Sequence, residues 1–346
     1  MQSPPFSHSP EHEKISEIPV PSSSSNSSGS SKIISRATLG PLLTDLGHRA
    51  QALSLDLLAR LTAKLGAAGR RRLSRFPAWL AHDVLRIRRA YIRETVAARL
   101  NLDKEASENL TRRIYLTFFE NALNMASAPY RTPEDLFAGL EVRGREHLDA
   151  ARAESHGFIV VCAHLGYWEL AHHWLAYNGY KITSVVRRQN NRHVDAWMEF
   201  MRHAHGGKTT DSGFGFREVL RALKAGRVLG LMSDQNAGDR GLFVPFLGEV
   251  ASTVVGPALI SRKMGCPIVP LAMFPRRGKP PLLIFERPIR PGAFPPGREG
   301  ERAITQTIND LISRWIREYP EHWFWFHRRW KSRPSSSPNA TPEAHR

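Results

Sequence analysis

The residues best suited to do chemistry are His164 and Glu169, which lie five positions apart. An apolar run of strand type, 158–163, ends directly on His164, and Glu169 lies at the start of a predicted helix. A histidine at the end of a strand can act as a general base, and a carboxylate one turn into the next helix can fix its tautomer and stabilise the imidazolium. Open α/β sheets place their chemistry at the carboxyl ends of strands. Taken alone, however, the spacing fits better a strand-capping histidine and a solvated glutamate that suits the helix dipole.

A metal site is a second interpretation of the same segment. Glu169 and His172 have the Glu-x-x-His spacing, with His173 adjacent and His164 upstream. Metal sites of this type need the motif on two helices together with further carboxylates, and the sequence offers no second copy. We therefore favour the His-Glu pair over a metal site.

Two further polar positions follow predicted strands. Arg187 ends the run 182–187, and Asp234 with Gln235 follows the run 228–232. If these strands neighbour the first one, an arginine, an aspartate and His164 emerge at one edge of the sheet, which favours a site over independent surface residues. A guanidinium there can hold a phosphate or steady an oxyanion, whereas an ordinary surface arginine is the alternative.

The order of predicted elements indicates the fold. Helical periodicity covers 43–65, 82–100 and 106–125, and from residue 141 onward strand-like and helical runs alternate up to a last helix at 303–319. This pattern predicts an α/β protein, a layered sheet with helices on both faces preceded by an N-terminal helical region.

Composition limits the folded part and its partners. Residues 1–31 hold 12 Ser and 5 Pro, and 332–346 share that bias, so we expect disordered tails around a single domain at 32–331, whose N-terminal part, about 43–130, is helical. The tails carry −2 and +1 of the formal charge of +17, which leaves +18 on the domain. Such a charge favours nucleic acid, anionic lipid or an acidic carrier protein. Cys162 and Cys266 lie in apolar stretches, which excludes a disulfide framework.

A leucine stripe in the first helix has two interpretations. No apolar run approaches 18 residues, so we expect no transmembrane helix and at most peripheral binding to a membrane. The stripe can pack on the domain or lie in a membrane interface beside the basic run 70–72 and Trp79, and the sequence leaves both open. Its members are Leu53, Leu57, Leu58, Leu61 and Leu65.

The C-terminal segment 319–331 interleaves aromatic and basic residues. It can stack on nucleic acid, sit among lipid headgroups, or pack its aromatic rings on the core with Arg328, Arg329 and Lys331 in solvent. Packing is the favoured interpretation for the rings. No helix-turn-helix, zinc-finger or RNA-binding signature accompanies the charge, so we expect no nucleic-acid partner.

Together these motifs resemble the lipid A biosynthesis acyltransferases, within the wider glycerolipid and lysophospholipid acyltransferase superfamily. The resemblance runs from about residue 82 to 333 and rests on four motifs in this order: His164-x-x-x-x-Glu169, Val185-Val186-Arg187, Asp234-Gln235 with Phe243-Val-Pro-Phe246, and Pro320-Glu-x-x-x-Trp325-x-His327-Arg-Arg-x-Lys331. The acid of the first box is commonly Asp in the superfamily, and Glu matches the lipid A branch. An apolar anchoring helix, frequent in that branch, is replaced here by the tail and the basic amphipathic stretch.

The resemblance implies a membrane-associated O-acyltransferase. It would move an acyl chain from an acyl thioester, on acyl carrier protein or CoA, to a hydroxyl of a lipid A precursor, with a lysophospholipid, an aminolipid or a phosphatidylinositol mannoside as alternative acceptors. No cofactor and no metal are expected. The expected location is the cytoplasmic face of the inner membrane, held peripherally through its anionic surface.

The resemblance also implies roles for residues. His164 and Glu169 would be catalytic, with His164 as the base that Glu169 orients, and no acyl-enzyme would form. The substrate-binding residues would be Arg187, Asp234, Gln235, Gly166 and Tyr167.

Overall fold

The computed structural model describes residues 36–155, 157–211, 216–276 and 278–334. The predicted tails 1–31 and 332–346 lie outside the described residues, except for 332–334. The chain divides into two compact units, Met1–Thr44 and Asp45–Arg346. The first contributes only the opening turns of the first helix to the described chain, and the sheet and the site belong to the second.

Helices dominate the first hundred described residues, as predicted. The helical segments are α1 Arg36–Ala63, α2 Ala67–Trp79, α3 Arg89–Leu100, α4 Lys104–Ala126, α5 Pro133–Leu136, α6 Arg145–Glu154, α7 Trp168–Tyr177, α8 Arg192–His203, α9 Phe216–Lys224, α10 Gly256–Met264 and α11 Gly297–Glu318. The predicted helix 82–100 is interrupted, because a π-helical turn, Leu80–Val84, precedes α3 and Arg86 and Arg88 adopt positive φ angles of 49° and 56°. Such left-handed residues cannot continue a right-handed helix.

The strands are β1 Glu141–Arg143, β2 Ile159–Cys162, β3 Ile182–Val186, β4 Lys208–Asp211, β5 Val228–Met232, β6 Leu242–Phe246, β7 Glu249–Thr253, β8 Ile268–Arg276 and β9 Lys279–Phe285. Seven of them form one sheet in the order β1-β9-β8-β2-β5-β3-β4, and β6 and β7 form a separate antiparallel hairpin. All neighbours in the large sheet are parallel except β8 and β9.

The central strand shows why the sheet is covered on both faces. Along β2 and the residue before it, Ile159 and Val161 pack into one buried apolar cluster, whereas Phe158 and Val160 pack into another. Successive side chains of a strand point to opposite faces, so an uninterrupted apolar run needs a helical layer on each side. The first cluster includes residues of α3, α4, α10 and α11, and the second includes residues of α6 and α7. The predicted fold class is confirmed.

Candidate active site

The register of two parallel strands brings His164 beside Asp234. Cys162, the last residue of β2, is the Cα partner of Met232, the last residue of β5. His164 and Asp234 each lie two residues beyond that pair, so they leave adjacent strands at the same height. The predicted convergence of these strand ends at one sheet edge is confirmed, because β5 also pairs in parallel with β3.

Asp234 accepts three hydrogen bonds. Its Oδ1 lies 2.9 Å from Nδ1 of His164, and its Oδ2 accepts the backbone N–H of His164 at 2.9 Å and the indole N–H of Trp323 at 2.9 Å. The carboxylate is almost fully buried, with 2% of its side chain exposed, whereas the His164 side chain is 24% exposed. The Asp234 carboxylate is thus held in place by its three donors, whereas the imidazole of His164 is partly exposed to solvent.

Electrostatics favour the charged form of both partners. Burial by itself raises the pKa of Asp234, but the charge and hydrogen bond of His164 and the Trp323 bond outweigh it and lower the pKa below its usual value. Burial likewise lowers the pKa of His164, but the Asp234 carboxylate and its hydrogen bond outweigh burial and raise it. A buried carboxylate therefore stabilises the imidazolium that forms when His164 takes a proton.

Glu169 does not contact His164, which corrects the predicted His-Glu pair. Its carboxylate accepts three hydrogen bonds from Arg202 on α8, at 3.1 and 3.2 Å from Nε and 2.8 Å from Nη2. Both side chains are largely buried, at 12% and 14% exposure. Burial raises the pKa of Glu169, but the charge of Arg202 outweighs it and the net pKa is lowered. Helix α7 directs Glu169 toward α8, so it joins two helices and acts on His164 only through its charge.

The ring nitrogen of His164 that faces away from Asp234 is Nε2. Because ionised Asp234 only accepts hydrogen bonds, neutral His164 must carry its proton on Nδ1, which leaves the lone pair on Nε2. The side-chain amide of Gln235 donates a long hydrogen bond of 3.4 Å to this lone pair, and a substrate hydroxyl would take its place. Trp168 packs edge-on against the imidazole at 5.5 Å between ring centroids, and Phe324 packs at 6.2 Å. This geometry is that of a general base with apolar walls.

The C-terminal segment builds the back of the site, a role that local sequence reasoning missed. In addition to the Trp323 bond to Asp234, Phe324 donates its backbone N–H to the carbonyl of His164 at 2.9 Å, and His322 accepts the backbone N–H of Gly166 at 3.0 Å. The sequence motif at 320–331, on which the resemblance partly rests, pointed to this segment but did not indicate what it contacts.

His327 is a further residue that the sequence left without a role. Its Nε2 accepts the backbone N–H of Asn236 at 2.9 Å, so in the neutral ring the proton is on Nδ1. Burial lowers the pKa of His327, and the charge of His164 lowers it further against the opposing effect of Asp234. A neutral N–H donor is therefore held within electrostatic range of the His-Asp pair.

Gly166 and Tyr167 shape the turn that follows His164. Gly166 has φ +62°, and a Cβ there would lie 2.1 Å from the carbonyl oxygen of Met273. Tyr167 donates its backbone N–H to the same oxygen at 2.7 Å and is 8% exposed. Only glycine fits this close approach, which locks the turn onto β8.

Arg187 lies at the predicted sheet edge but not at the histidine. It follows β3, which is two strands from β2, so the backbones are separated by about 10 Å at the usual spacing of about 4.8 Å. Its side chain is exposed. The neighbouring Arg188 is tied to Asp195, at 2.9 Å, and to Glu199, at 3.3 Å. Among the described residues, the Arg187 guanidinium forms no hydrogen bond or ion pair.

The alternative interpretations meet specific obstacles. Among the described residues, no group of three or more His, Cys, Asp or Glu is arranged to hold a metal ion. The indoles of Trp323 and Trp325 are 3% and 1% exposed, so they cannot stack on bases. The expectation that Arg329 faces solvent is wrong, since it is fully buried over the Phe246 ring and donates to Ser252 and Thr253.

The chain is similar in sequence to known bacterial acyltransferases. Residues 54–332 match the model of the bacterial lipid A biosynthesis acyltransferases. The lipid A biosynthesis lauroyltransferase of Escherichia coli is 27% identical over 241 residues, which cover 68% of this chain and 77% of that protein. The phosphatidylinositol mannoside acyltransferase of Mycobacterium tuberculosis is 28% identical over 204 residues, 58% of this chain and 62% of that protein. A solved 1-acyl-sn-glycerophosphate acyltransferase of Thermotoga maritima aligns with a TM-score of 0.35 at 16% identity, over 72% of this chain and 97% of that one.

Proposed function

We propose that this chain, which belongs to the bacterial lipid A biosynthesis acyltransferase family, moves a fatty acyl chain from an acyl carrier protein thioester to a hydroxyl of a lipid A precursor or related glycolipid. Family membership makes it an O-acyltransferase. The observation that carries the mechanism is the buried Asp234 carboxylate on Nδ1 of His164, 2.9 Å away.

In this mechanism Nε2 of His164 takes the proton of the acceptor hydroxyl. The oxygen attacks the thioester carbonyl, the C–O bond forms, the C–S bond breaks, and the thiolate leaves and receives the proton from His164. A hydroxyl is a weak nucleophile at neutral pH, and a positioned base contributes about 10²–10⁴ in rate. Asp234, which replaces Glu169 as the orienting carboxylate, holds the tautomer and stabilises the imidazolium throughout.

Direct attack is supported by the state of Cys162, the cysteine nearest to His164 in the chain. Burial and the negative charges of Asp234 and Glu169 raise the pKa of its thiol. A thiol that stays protonated is a poor nucleophile, so no acyl-enzyme is expected there.

Arg187 is assigned to acceptor binding. It leaves the sheet two strands from β2, with β5 between it and His164. An exposed guanidinium at the same edge suits a phosphate on the acceptor.

Peripheral binding to the cytoplasmic face of the inner membrane is part of the proposal. Among the described residues, no helix is long and apolar enough to cross a bilayer. The leucine stripe of α1 does not pack on the domain: Leu53, Leu57 and Leu61 are 70%, 59% and 53% exposed, and Phe76 and Trp79 on α2 are 64% and 52% exposed. An apolar face of this size beside basic residues is typical of an interfacial helix pair.

Arg70 must be removed from the basic run expected to touch the membrane. It is 4% exposed, and its guanidinium donates to Asn124 and to the carbonyls of Thr62 and Leu65. Arg70 therefore joins α1, α2 and α4, and charge reversal there would unfold this corner. Charge reversal at the exposed Arg72 is the sound test of membrane attachment.

The test of the function is a reconstituted assay with acyl carrier protein and CoA thioesters and candidate glycolipid acceptors, read by mass spectrometry of the lipids. We expect one acyl chain to be added to a lipid A precursor, with the carrier protein thioester used in preference, and folded His164→Ala to lose about 10²-fold or more in rate. Equal turnover by folded His164→Ala would refute the mechanism. Acylation of a phosphatidylinositol mannoside, with no acylation of the lipid A precursor, would refute the lipid A precursor as the acceptor.

A further inference from the structure

A basic cleft lies beside the turn that follows His164. It has a volume of about 850 Å³ and is lined by α2, α4, the end of β8, the start of β9 and residues 319–322. Its charged side chains are Arg71, Arg72, Arg75, Arg113, Arg276 and Lys279, against two acids, Glu120 and Glu321.

Four of these cations are unpaired within the part of the chain that the structure describes. Arg72, Arg75, Arg113 and Lys279 are exposed and form no hydrogen bond or ion pair with the described residues. The other two are held in place, Arg71 by Glu120 at 3.3 Å and Arg276 by Glu141 and the carbonyl of Pro280. A concave surface with four unpaired cations concentrates anions.

The floor of the cleft is joined to the catalytic strand. Tyr167, three residues after His164, lines the cleft, and its hydroxyl has no partner among the described residues. Burial raises the pKa of Tyr167, so the hydroxyl stays protonated and remains a donor. His322, whose carbonyl binds the Gly166 N–H, lines the same wall. The wall of the cleft is therefore formed by residues that also fix the turn after His164.

The rim of the cleft is continuous with the apolar surface. Leu73 and Phe76, on the same helix as Arg72 and Arg75, are 40% and 64% exposed. Apolar groups next to unpaired guanidinium groups suit a molecule whose chains remain in a bilayer while its anionic head enters the protein.

We propose that this cleft binds the phosphate-bearing head group of the lipid acceptor. The inference rests on the proposed acyl transfer to a lipid and adds where the head group binds. The volume lies within the range of about 300–1,000 Å³ typical of small-ligand sites, and a concave site of that size suits a head group better than a protein surface. Phosphate oxygens match guanidinium groups, and the Tyr167 hydroxyl supplies a neutral donor at the floor.

The first test measures binding and does not depend on catalysis. Full-length protein is sedimented with phosphatidylcholine vesicles that contain phosphatidate, a phosphate monoester, or phosphatidylglycerol, a diester, at matched surface charge. We expect a preference for phosphatidate that is lost in the triple variant Arg75→Gln/Arg113→Gln/Lys279→Gln, which leaves Arg72 in place. A control variant, Lys224→Gln/Arg287→Gln/Arg298→Gln, removes the same charge at exposed positions outside the cleft and should keep the preference.

The second test measures kinetics with a phosphorylated glycolipid acceptor and its dephosphorylated form. Loss of three exposed ionic contacts should raise KM for the phosphorylated acceptor about tenfold, with kcat unchanged and no effect on the dephosphorylated one. Tyr167→Phe should raise the same KM, because it removes the floor donor and keeps the ring.

The outcomes separate the two proposals. If the cleft and control variants lose the preference for phosphatidate equally, the cleft is not the binding site. If inorganic phosphate or CoA releases the wild-type protein from the vesicles as effectively as added phosphatidate does, the occupant is not a lipid. Absence of acyl transfer by the wild-type protein would refute the proposed function, while the vesicle measurement would still decide what the cleft binds.

Discussion

Asp234→Asn tests whether Asp234 or Glu169 orients the base. The Oδ2 position receives two N–H donors, from the backbone of His164 and from Trp323, so the amide oxygen of asparagine must occupy it. The amide NH₂ then faces Nδ1 of His164, at the position of the present 2.9 Å contact. A donor there forces Nδ1 to accept, so the imidazole proton moves to Nε2 and the base is blocked.

The expected loss is that of the general base. We expect kcat to fall about 10²–10⁴-fold while the protein stays folded, since asparagine matches the shape of aspartate and keeps the Oδ2 bonds. Loss of the carboxylate also removes the interaction that raises the pKa of His164. Because His164 must be neutral to accept a proton, any residual activity should show its acidic limb at lower pH than the wild-type enzyme.

The assay is acyl transfer from thioester to glycolipid across a pH series, with thermal unfolding as the control for folding. The ¹⁵N chemical shifts of His164 report the tautomer directly, and they should change from Nδ1–H to Nε2–H. Glu169→Gln is the matched carboxylate-to-amide variant, and it should retain far more activity. A fully active Asp234→Asn enzyme beside an inactive but folded Glu169→Gln enzyme would refute the assignment.

Three further results are expected from the remaining contacts. Glu169→Ala should lower the free energy of unfolding by about 3 kcal/mol, because it leaves a buried Arg202 unpaired. In denaturant titrations, the double variant Glu169→Ala/Arg202→Ala should lose less stability than the sum of the two single variants. Trp323→Phe removes one buried hydrogen bond to a charged acceptor and should lower kcat about tenfold, with a loss of about 1.5–3 kcal/mol in the free energy of unfolding. An unchanged kcat in the folded variant would contradict the role of the indole. Arg187→Ala should raise KM for a phosphorylated acceptor more than Arg188→Ala does, and Arg187→Lys should restore it only in part if the contact is bidentate; equal, mild effects of both alanine variants would make Arg187 an ordinary surface residue.

Strands and helices with strong patterns were predictable from the chain alone. The apolar run 228–232 is β5 without a shift, and the run 158–163 differs from β2 only at its ends. The short polar strands β4 and β1 and the hairpin of β6 and β7 were not predicted, because their stability comes from neighbouring strands. The predicted helix 82–100 is too long, because the periodicity of apolar side chains does not reveal the left-handed backbone of Arg86 and Arg88.

The leucine stripe shows the limit of periodicity. Its spacing predicted an apolar helical face correctly, but the same spacing serves a helix that packs on a core and one that faces a lipid surface. Only the tertiary structure leaves Leu53 and Leu57 uncovered. The buried Arg70 and Arg329 likewise look like surface cations in the sequence, because their carbonyl partners come from other elements.

The sequence by itself determined that His164 lies at the carboxyl end of a buried strand, at the edge of the sheet. An apolar strand that ends on His164, with a glycine two residues later, is a local pattern, and local patterns set strand ends. The tertiary structure decided which carboxylate contacts that histidine. Glu169 is five residues away along the chain but is directed by α7 to Arg202, whereas Asp234, seventy residues away, is brought within 2.9 Å by the parallel register of β2 and β5. Sheet register depends on pairing across the whole fold, so spacing along the chain could not reveal this partner.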